Sequence, residues 1–134
     1  NLNINMFIKK FFLSINILFF LYFSIQLLVF TDEFAKENIG FFNHAVAGLA
    51  EVIGIIFFSF FLALIIIFIK GIEKQFPFFL TIFLTQFIIA INFWRYVLTN
   101  SPGESNLDTI TFNAIVFSVT SLISFYFLIS IRKK

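Results

Sequence analysis

Four apolar runs, each about as long as a bilayer is thick, constrain the fold of this chain more than any other feature. A helix needs about 20 mainly apolar residues to cross the hydrocarbon core of a membrane. We therefore expect spans over about residues 11–30, 41–69, 77–98 and 109–131. The predicted fold class is all-α integral membrane, with four transmembrane helices in an up-down antiparallel bundle that forms one domain over residues 1–134.

Composition agrees with a bilayer environment. The chain is 60% hydrophobic and 12% charged, whereas a soluble domain carries about 25% charged residues. Its 25 phenylalanines have two interpretations: lipid-facing apolar surface, or an aromatic surface that holds a pigment, quinone or sterol. We favour the first, because the phenylalanines fall on every helical face. The absence of cysteine excludes disulfides and thiolate metal sites.

The connections are short. Residues 31–39 are predicted to be an acidic polar loop, residues 70–76 a tight basic turn, and residues 99–108 a turn. Pro77 suits the first turn of the third helix, and Asp108 or Thr109 is the expected N-cap of the fourth. The first run has a basic flank like that of a signal peptide, but no A-x-A site follows it, so we expect a retained helix.

Basic residues predict the orientation, because short cytoplasmic loops carry an excess of Lys and Arg. One side of the predicted bundle carries Lys9, Lys10, Lys70, Lys74, Arg132, Lys133 and Lys134. The other side carries Lys36 and Arg95 among acidic residues. Both termini are therefore expected on the cytoplasmic side, or on the matrix or stromal side of an organelle. The predicted location is a multi-pass position in a bacterial inner membrane or an organelle membrane.

The second run contains the most informative polar residues. His44, Gly48 and Glu51 follow one another at spacings of 4 and 3, which places them on one helical face together with Ile55. An ionisable residue within a membrane span is by default a functional hypothesis, because its burial is costly unless it is paired. We expect Glu51 to lie inside the bundle or at a subunit contact.

Arg95 of the third run is the expected partner of Glu51, since both fall in the outer half of the membrane. With His44 and Asn92 they form a predicted polar cluster, whose favoured role is a structural ion pair. A proton- or ion-handling site is an alternative, as is a contact with a partner subunit, a lipid headgroup or a cofactor. A lone histidine can ligate haem or chlorophyll, but its position near the membrane surface disfavours that role.

Small residues predict helix packing, because they allow backbones to approach closely in a membrane. The predicted packing face comprises Ala47, Gly48, Gly54, Ala114, Ser118 and Ser121. Mid-membrane polar residues such as Asn16, Gln86 and Ser124 are interpreted as interhelical hydrogen-bonding groups in preference to a permeation path.

No HExxH, Walker or GxSxG pattern is present, so we predict that the chain is not an enzyme. We predict no cofactor and no metal, and we expect contacts with lipid. The favoured function is a small accessory subunit that packs against other membrane subunits, or against copies of itself, in a larger complex. The alternative is a small oligomeric transporter or channel with a proton- or cation-linked site at Glu51 and His44. Nucleic acid is not an expected partner, because the basic residues form no run.

Overall fold

The structure is a computed structural model that describes residues 2–132, with side chains from residue 5 onward; the predicted basic residues Lys133 and Lys134 lie outside the described part. The helices are α1 (Leu2–Leu28), α2 (Thr31–Asn38), α3 (His44–Lys70), α4 (Phe76–Thr99) and α5 (Leu107–Arg132). Residues 2–132 contain no strand. Four of the helices are long and apolar enough to span a membrane. The all-α prediction and the four long apolar helices are confirmed.

Local chemistry explains where the helices begin and end. The Asn43 side chain accepts a hydrogen bond from the Val46 N–H at 2.8 Å and caps the start of α3. Gly71, at φ +110°, ends the same helix. Pro77 lies in the first turn of α4, where its missing N–H costs no hydrogen bond.

The N-cap predicted for the fourth span is wrong. The side chain of Asn106 accepts a hydrogen bond from the Thr109 N–H at 3.2 Å, and α5 already begins at Leu107. Asp108 and Thr109 therefore lie inside the first turn. Asparagine is as good an N-cap as aspartate. The helix therefore starts after Asn106, which precedes Asp108 in the chain.

The segment predicted as a polar loop after the first span is the helix α2. Its two acidic residues, Asp32 and Glu33, lie in its first turn and Lys36 lies in its last, as the helix dipole favours. Ala35 is fully buried. The Thr31 hydroxyl donates a hydrogen bond to the Leu27 carbonyl at 2.6 Å and ties α2 to the end of α1. Tertiary packing thus stabilises a helix that is too short to be stable alone.

The long helices associate in two closely packed pairs. In the first pair, Lys10 of α1 lies over Phe68 of α3, and Phe20 contacts Phe57 with ring centroids 5.2 Å apart. Further along α1, Leu28 lies against Gly54. Residue numbers rise along one helix as they fall along the other, so α1 and α3 run in opposite directions.

The second pair is α4 and α5, which also run in opposite directions. Phe79 contacts Phe127 with centroids 4.8 Å apart. At the other end, the Trp94 Nε1–H donates a hydrogen bond to the Ser118 hydroxyl at 2.8 Å. The two pairs meet where Phe19 and Phe23 of α1 contact Phe117 of α5, at 4.9 and 4.7 Å.

The second and third spans are not close neighbours, although a short turn joins them. No Cα of α3 lies within 8 Å of a Cα of α4 along their described lengths. Phe60 and Phe78 touch across the gap with centroids 5.7 Å apart. Bulky aromatic side chains on both helices hold the backbones apart, and they leave an open seam on this side.

Phenylalanine also forms the interior. Phe20, Phe23, Phe79 and Phe127 are among the most completely buried side chains. Many of their contacts are edge-to-face, the arrangement that the ring quadrupole favours. The phenylalanines therefore form both exposed apolar surface and the core between helices.

Candidate functional site

The predicted face of the second span lies on the outside of the protein. His44, Gly48, Glu51 and Ile55 are all exposed. Gly48 is so open that an added Cβ would meet nothing within 4 Å. An adjacent side of α3 packs against α1, through buried residues that include Ala50, Gly54 and Phe57.

Glu51 has no hydrogen bond or ion pair with any residue that the structure describes. It lies two turns into α3, within the apolar segment long enough to span a membrane. In a membrane, a carboxylate in that position would face acyl chains unless another molecule covered it. Glu51 is therefore not inside the bundle, and of the two expected environments only the subunit contact remains open.

The predicted ion pair between Glu51 and Arg95 does not form between these described residues. The Arg95 guanidinium instead lies over the ring of Tyr96, 5.6 Å from its centroid. The physical reason is the separation of α3 and α4, together with helix rotation. Glu51 is roughly half a turn around α3 from Ile53, and Ile53 is on the side that faces α4.

The other two members of the predicted cluster are also separate. His44 is the exposed first residue of α3, whereas Asn92 lines a cavity between α3 and α4. The structure therefore does not bring the four predicted polar residues together.

The residues of the predicted small-residue face do not share one environment. Gly54 faces α1, where an added Cβ would lie 2.8 Å from Leu28 Cγ, and Gly48 is open. Ala114 and Ser121 of α5 are buried, and Ser118 is half-buried and bonded to Trp94. Ala47 is half-buried near the start of α3.

A buried polar network joins three helices in the middle of the protein. The Gln86 Nε2–H of α4 donates a hydrogen bond to Asn16 Oδ1 of α1 at 2.8 Å. The Ser124 hydroxyl of α5 donates to Gln86 Oε1 at 2.6 Å. All three residues are buried, and no buried side-chain N or O atom among the described residues lacks a partner. The sequence shows each of these polar residues within an apolar run, but it does not show that their side chains meet.

A second set of polar contacts holds α2 against α5. The Asn113 Nδ2–H donates a hydrogen bond to Asn38 Oδ1 at 2.6 Å, and the Asn106 N–H donates to the Glu37 carbonyl at 2.9 Å. Thr109 donates through its hydroxyl to the Glu37 carboxylate at 3.3 Å.

The first turn of α2 carries one perturbed carboxyl group. The pKa of Asp32 lies below its usual value, chiefly because of a side-chain hydrogen bond with Glu33. Backbone N–H groups at the start of the helix and the charge of Lys36 lower it further, against an opposing effect of desolvation.

Residues 2–132 contain no group of three or more His, Asp or Glu side chains placed to hold a metal ion. Chemically, the arrangement offers a carboxylate without a partner, Glu51, within the apolar part of an exposed helix face. The polar side chains buried within the described bundle are all hydrogen-bonded. Comparison of the chain with family models, with curated proteins and with solved structures finds no match to any of them.

Proposed function

We propose that this chain is a non-catalytic accessory subunit of a membrane complex, which packs against another integral membrane chain through the outward face of α3. The observation that carries the proposal is the exposed Glu51 without a partner in its own chain. A charged residue costs about 2.5–3.5 kcal/mol at the centre of a span on insertion scales, and Glu51, two turns from the start of α3, would cost part of that. A cationic or hydrogen-bonding group on a neighbouring helix would offset that cost.

The exposure of α3 supports the same proposal. In their most apolar stretches, α1 and α5 are 44% and 39% buried, whereas α3 and α4 are each only 22% buried. Gly48, with nothing within 4 Å, lies on the Glu51 face and would let a partner helix approach closely. We propose that the chain is an up-down antiparallel bundle with both termini on the cytoplasmic, matrix or stromal side.

The test compares Glu51→Gln and Gly48→Leu with the wild type, each carrying an affinity tag, by quantitative recovery of co-purifying membrane chains. We expect both variants to fold but to retain partners about threefold to tenfold less, which corresponds to about 0.6–1.4 kcal/mol of lost interhelical contact. Glu73→Gln, in the turn after α3, is the matched control for loss of a carboxylate. Unchanged recovery in both variants would contradict the proposal.

A small oligomeric transporter or channel is the second candidate. The observation that favours it is that no described residue neutralises Glu51, which leaves the carboxylate free to take part in proton or cation transfer. Continuous helices and mutually satisfied buried polar groups favour the accessory role. Normal assembly of Glu51→Gln with loss of proton or cation flux in proteoliposomes would select the transporter.

A further inference from the structure

The seam between α3 and α4 is closed at one end and open at the other. Phe60 and Phe78 bridge it near the turn that follows Lys70. Among the described residues no second aromatic contact joins the two helices, and toward the α2 end a cavity of about 290 Å³ lies between them. This cavity, which we call the lower chamber, reaches the interior of the bundle.

The lower chamber is mainly apolar. Its deep wall is formed by Phe23 of α1 and Phe117 of α5, which are both buried. Its lining residues are Phe23, Leu27, Phe34, Asn38, Ile39, Ile53, Phe57, Ile89, Asn92, Phe93, Tyr96 and Phe117. A hydrocarbon-lined space that stays empty forfeits the dispersion contacts of its walls, and water does not enter such a space readily.

A second cavity of about 550 Å³, the upper chamber, adjoins the lower one at the α2 end. Polar groups form a larger share of its lining than in the lower chamber, and its lining residues are Asn38, Ile39, Gly40, Tyr96, Thr99, Asn100, Gly103, Glu104 and Ser105. Asn38, Ile39 and Tyr96 line both chambers. The pair is therefore apolar at one end and more polar at the other, as a membrane lipid is.

Charge around the upper chamber indicates the kind of headgroup. The described α2 end of the bundle carries the carboxylates Asp32, Glu33, Glu37, Glu104 and Asp108, and the cations Lys36 and Arg95. Glu104 lines the chamber itself, so its carboxylate can accept hydrogen bonds from an ammonium group. Arg95 lines neither chamber, but its guanidinium lies 5.6 Å from the ring centroid of Tyr96, which lines both. A guanidinium group suits a phosphate.

We propose that the α3–α4 seam binds one phospholipid with an amine-bearing headgroup. An acyl chain fills the lower chamber and the headgroup occupies the upper one. The proposal does not rest on the accessory-subunit function, because the seam and the Glu51 face are on opposite sides of α3.

The test titrates the full-length chain, purified in mild detergent and stripped of lipid, with phosphatidylethanolamine or phosphatidylglycerol of identical acyl chains. Native mass spectrometry counts the bound lipid. We expect one phosphatidylethanolamine to bind in preference to phosphatidylglycerol. Ile89→Trp fills the lower chamber and should weaken binding about tenfold, which corresponds to about 1.4 kcal/mol. Ile88→Trp is the matched control, because Ile88 is 60% exposed and does not line the chamber.

Two further variants keep the test decisive. Asn92→Trp obstructs the exposed rim of the lower chamber, so it reports on lipid entry even if Ile89→Trp does not fold. Glu104→Gln should remove the preference for phosphatidylethanolamine while leaving binding of phosphatidylglycerol unchanged. Wild-type affinity in the folded Ile89→Trp and Asn92→Trp variants would overturn the site. Equal or tighter binding of phosphatidylglycerol by the wild type would overturn the headgroup assignment, and a second copy of the chain recovered at the seam would overturn the lipid as occupant.

Discussion

At the scale of single residues, Gln86 and Glu51 show two opposite fates of polar groups in apolar helices. Gln86 is fully buried and exchanges hydrogen bonds with Asn16 and Ser124. Glu51 has no such partner within the described chain. A satisfied polar residue stabilises the contact between its own helices, whereas an unsatisfied one in lipid gains from contact with another molecule.

Replacement of Gln86 by Leu should destabilise the isolated protein by about 1–2 kcal/mol, because two interhelical hydrogen bonds are lost and Asn16 Oδ1 is left without its amide donor. Unfolding of the purified protein by denaturant in detergent micelles measures this change. Ser59→Ala is the control, since the Ser59 hydroxyl is exposed and bonds only to its own helix. Simultaneous replacement of Asn16, Gln86 and Ser124 by apolar residues should cost less than the single change; a larger cost would contradict this account.

At the scale of elements, α2 and α3 each have sides that face different surroundings. The helix α2 buries Ala35, and its Glu37 carboxylate accepts a hydrogen bond from Thr109 of α5. The helix α3 packs against α1 through Gly54, lines the seam through Ile53, and exposes Glu51 on the remaining side. One helix can therefore contribute to the bundle, to a lipid site and to a subunit contact without conflict.

The docking of α2 depends on Gly40, which follows the helix at φ +80° and lies against the Glu104 carbonyl. A Cβ at position 40 would overlap that carbonyl oxygen, and the left-handed backbone alone costs an L-residue about 1–2 kcal/mol. Gly40→Ala should therefore speed amide hydrogen exchange in α2 about tenfold or more.

Gly103→Ala is the matched control for this prediction. Gly103 has a similar φ of +87°, but an added Cβ would meet nothing within 4 Å. Gly103→Ala should therefore strain the loop without releasing α2 from its contacts. Equal exchange rates for α2 in both variants would show that the contact with Glu104 is unimportant.

At the scale of the whole molecule, the bundle consists of two closely packed pairs, α1 with α3 and α4 with α5, joined along α1 and α5. The remaining side of the bundle, between α3 and α4, is the seam. Its two ends differ in charge: Lys10, Lys70 and Lys74 lie at one end, and α2 with its carboxylates lies at the other. The excess of basic residues predicts which end faces the cytoplasm.

Single cysteines test this orientation directly, because the natural chain has none. Ser101→Cys, in the loop before α5, should react with a membrane-impermeant maleimide added outside intact cells. Glu73→Cys, in the turn before α4, should react only after permeabilisation. Reversed labelling would invert the orientation, and labelling of both from outside would exclude the up-down arrangement.

The sequence by itself determined the four long apolar helices, most of their ends, and the shared face of His44, Gly48 and Glu51. These follow from run length, capping residues and helical periodicity, which are local properties. The same local signals placed Asn16, Gln86 and Ser124 within apolar helices, but they could not show that the three side chains meet.

Only the tertiary structure decided which faces point inward. In a soluble protein, hydrophobicity separates core from surface, but lipid accepts the same apolar side chains as the core does, so hydropathy carries no such information here. The sequence therefore left open whether Glu51 lies inside the bundle, with Arg95 as its partner, or at a subunit contact, whereas packing turns Glu51 outward and leaves α3 and α4 apart. The helix α2 was missed for a related reason: its stability comes from Ala35 packing and from contacts to α5 that are distant in the chain.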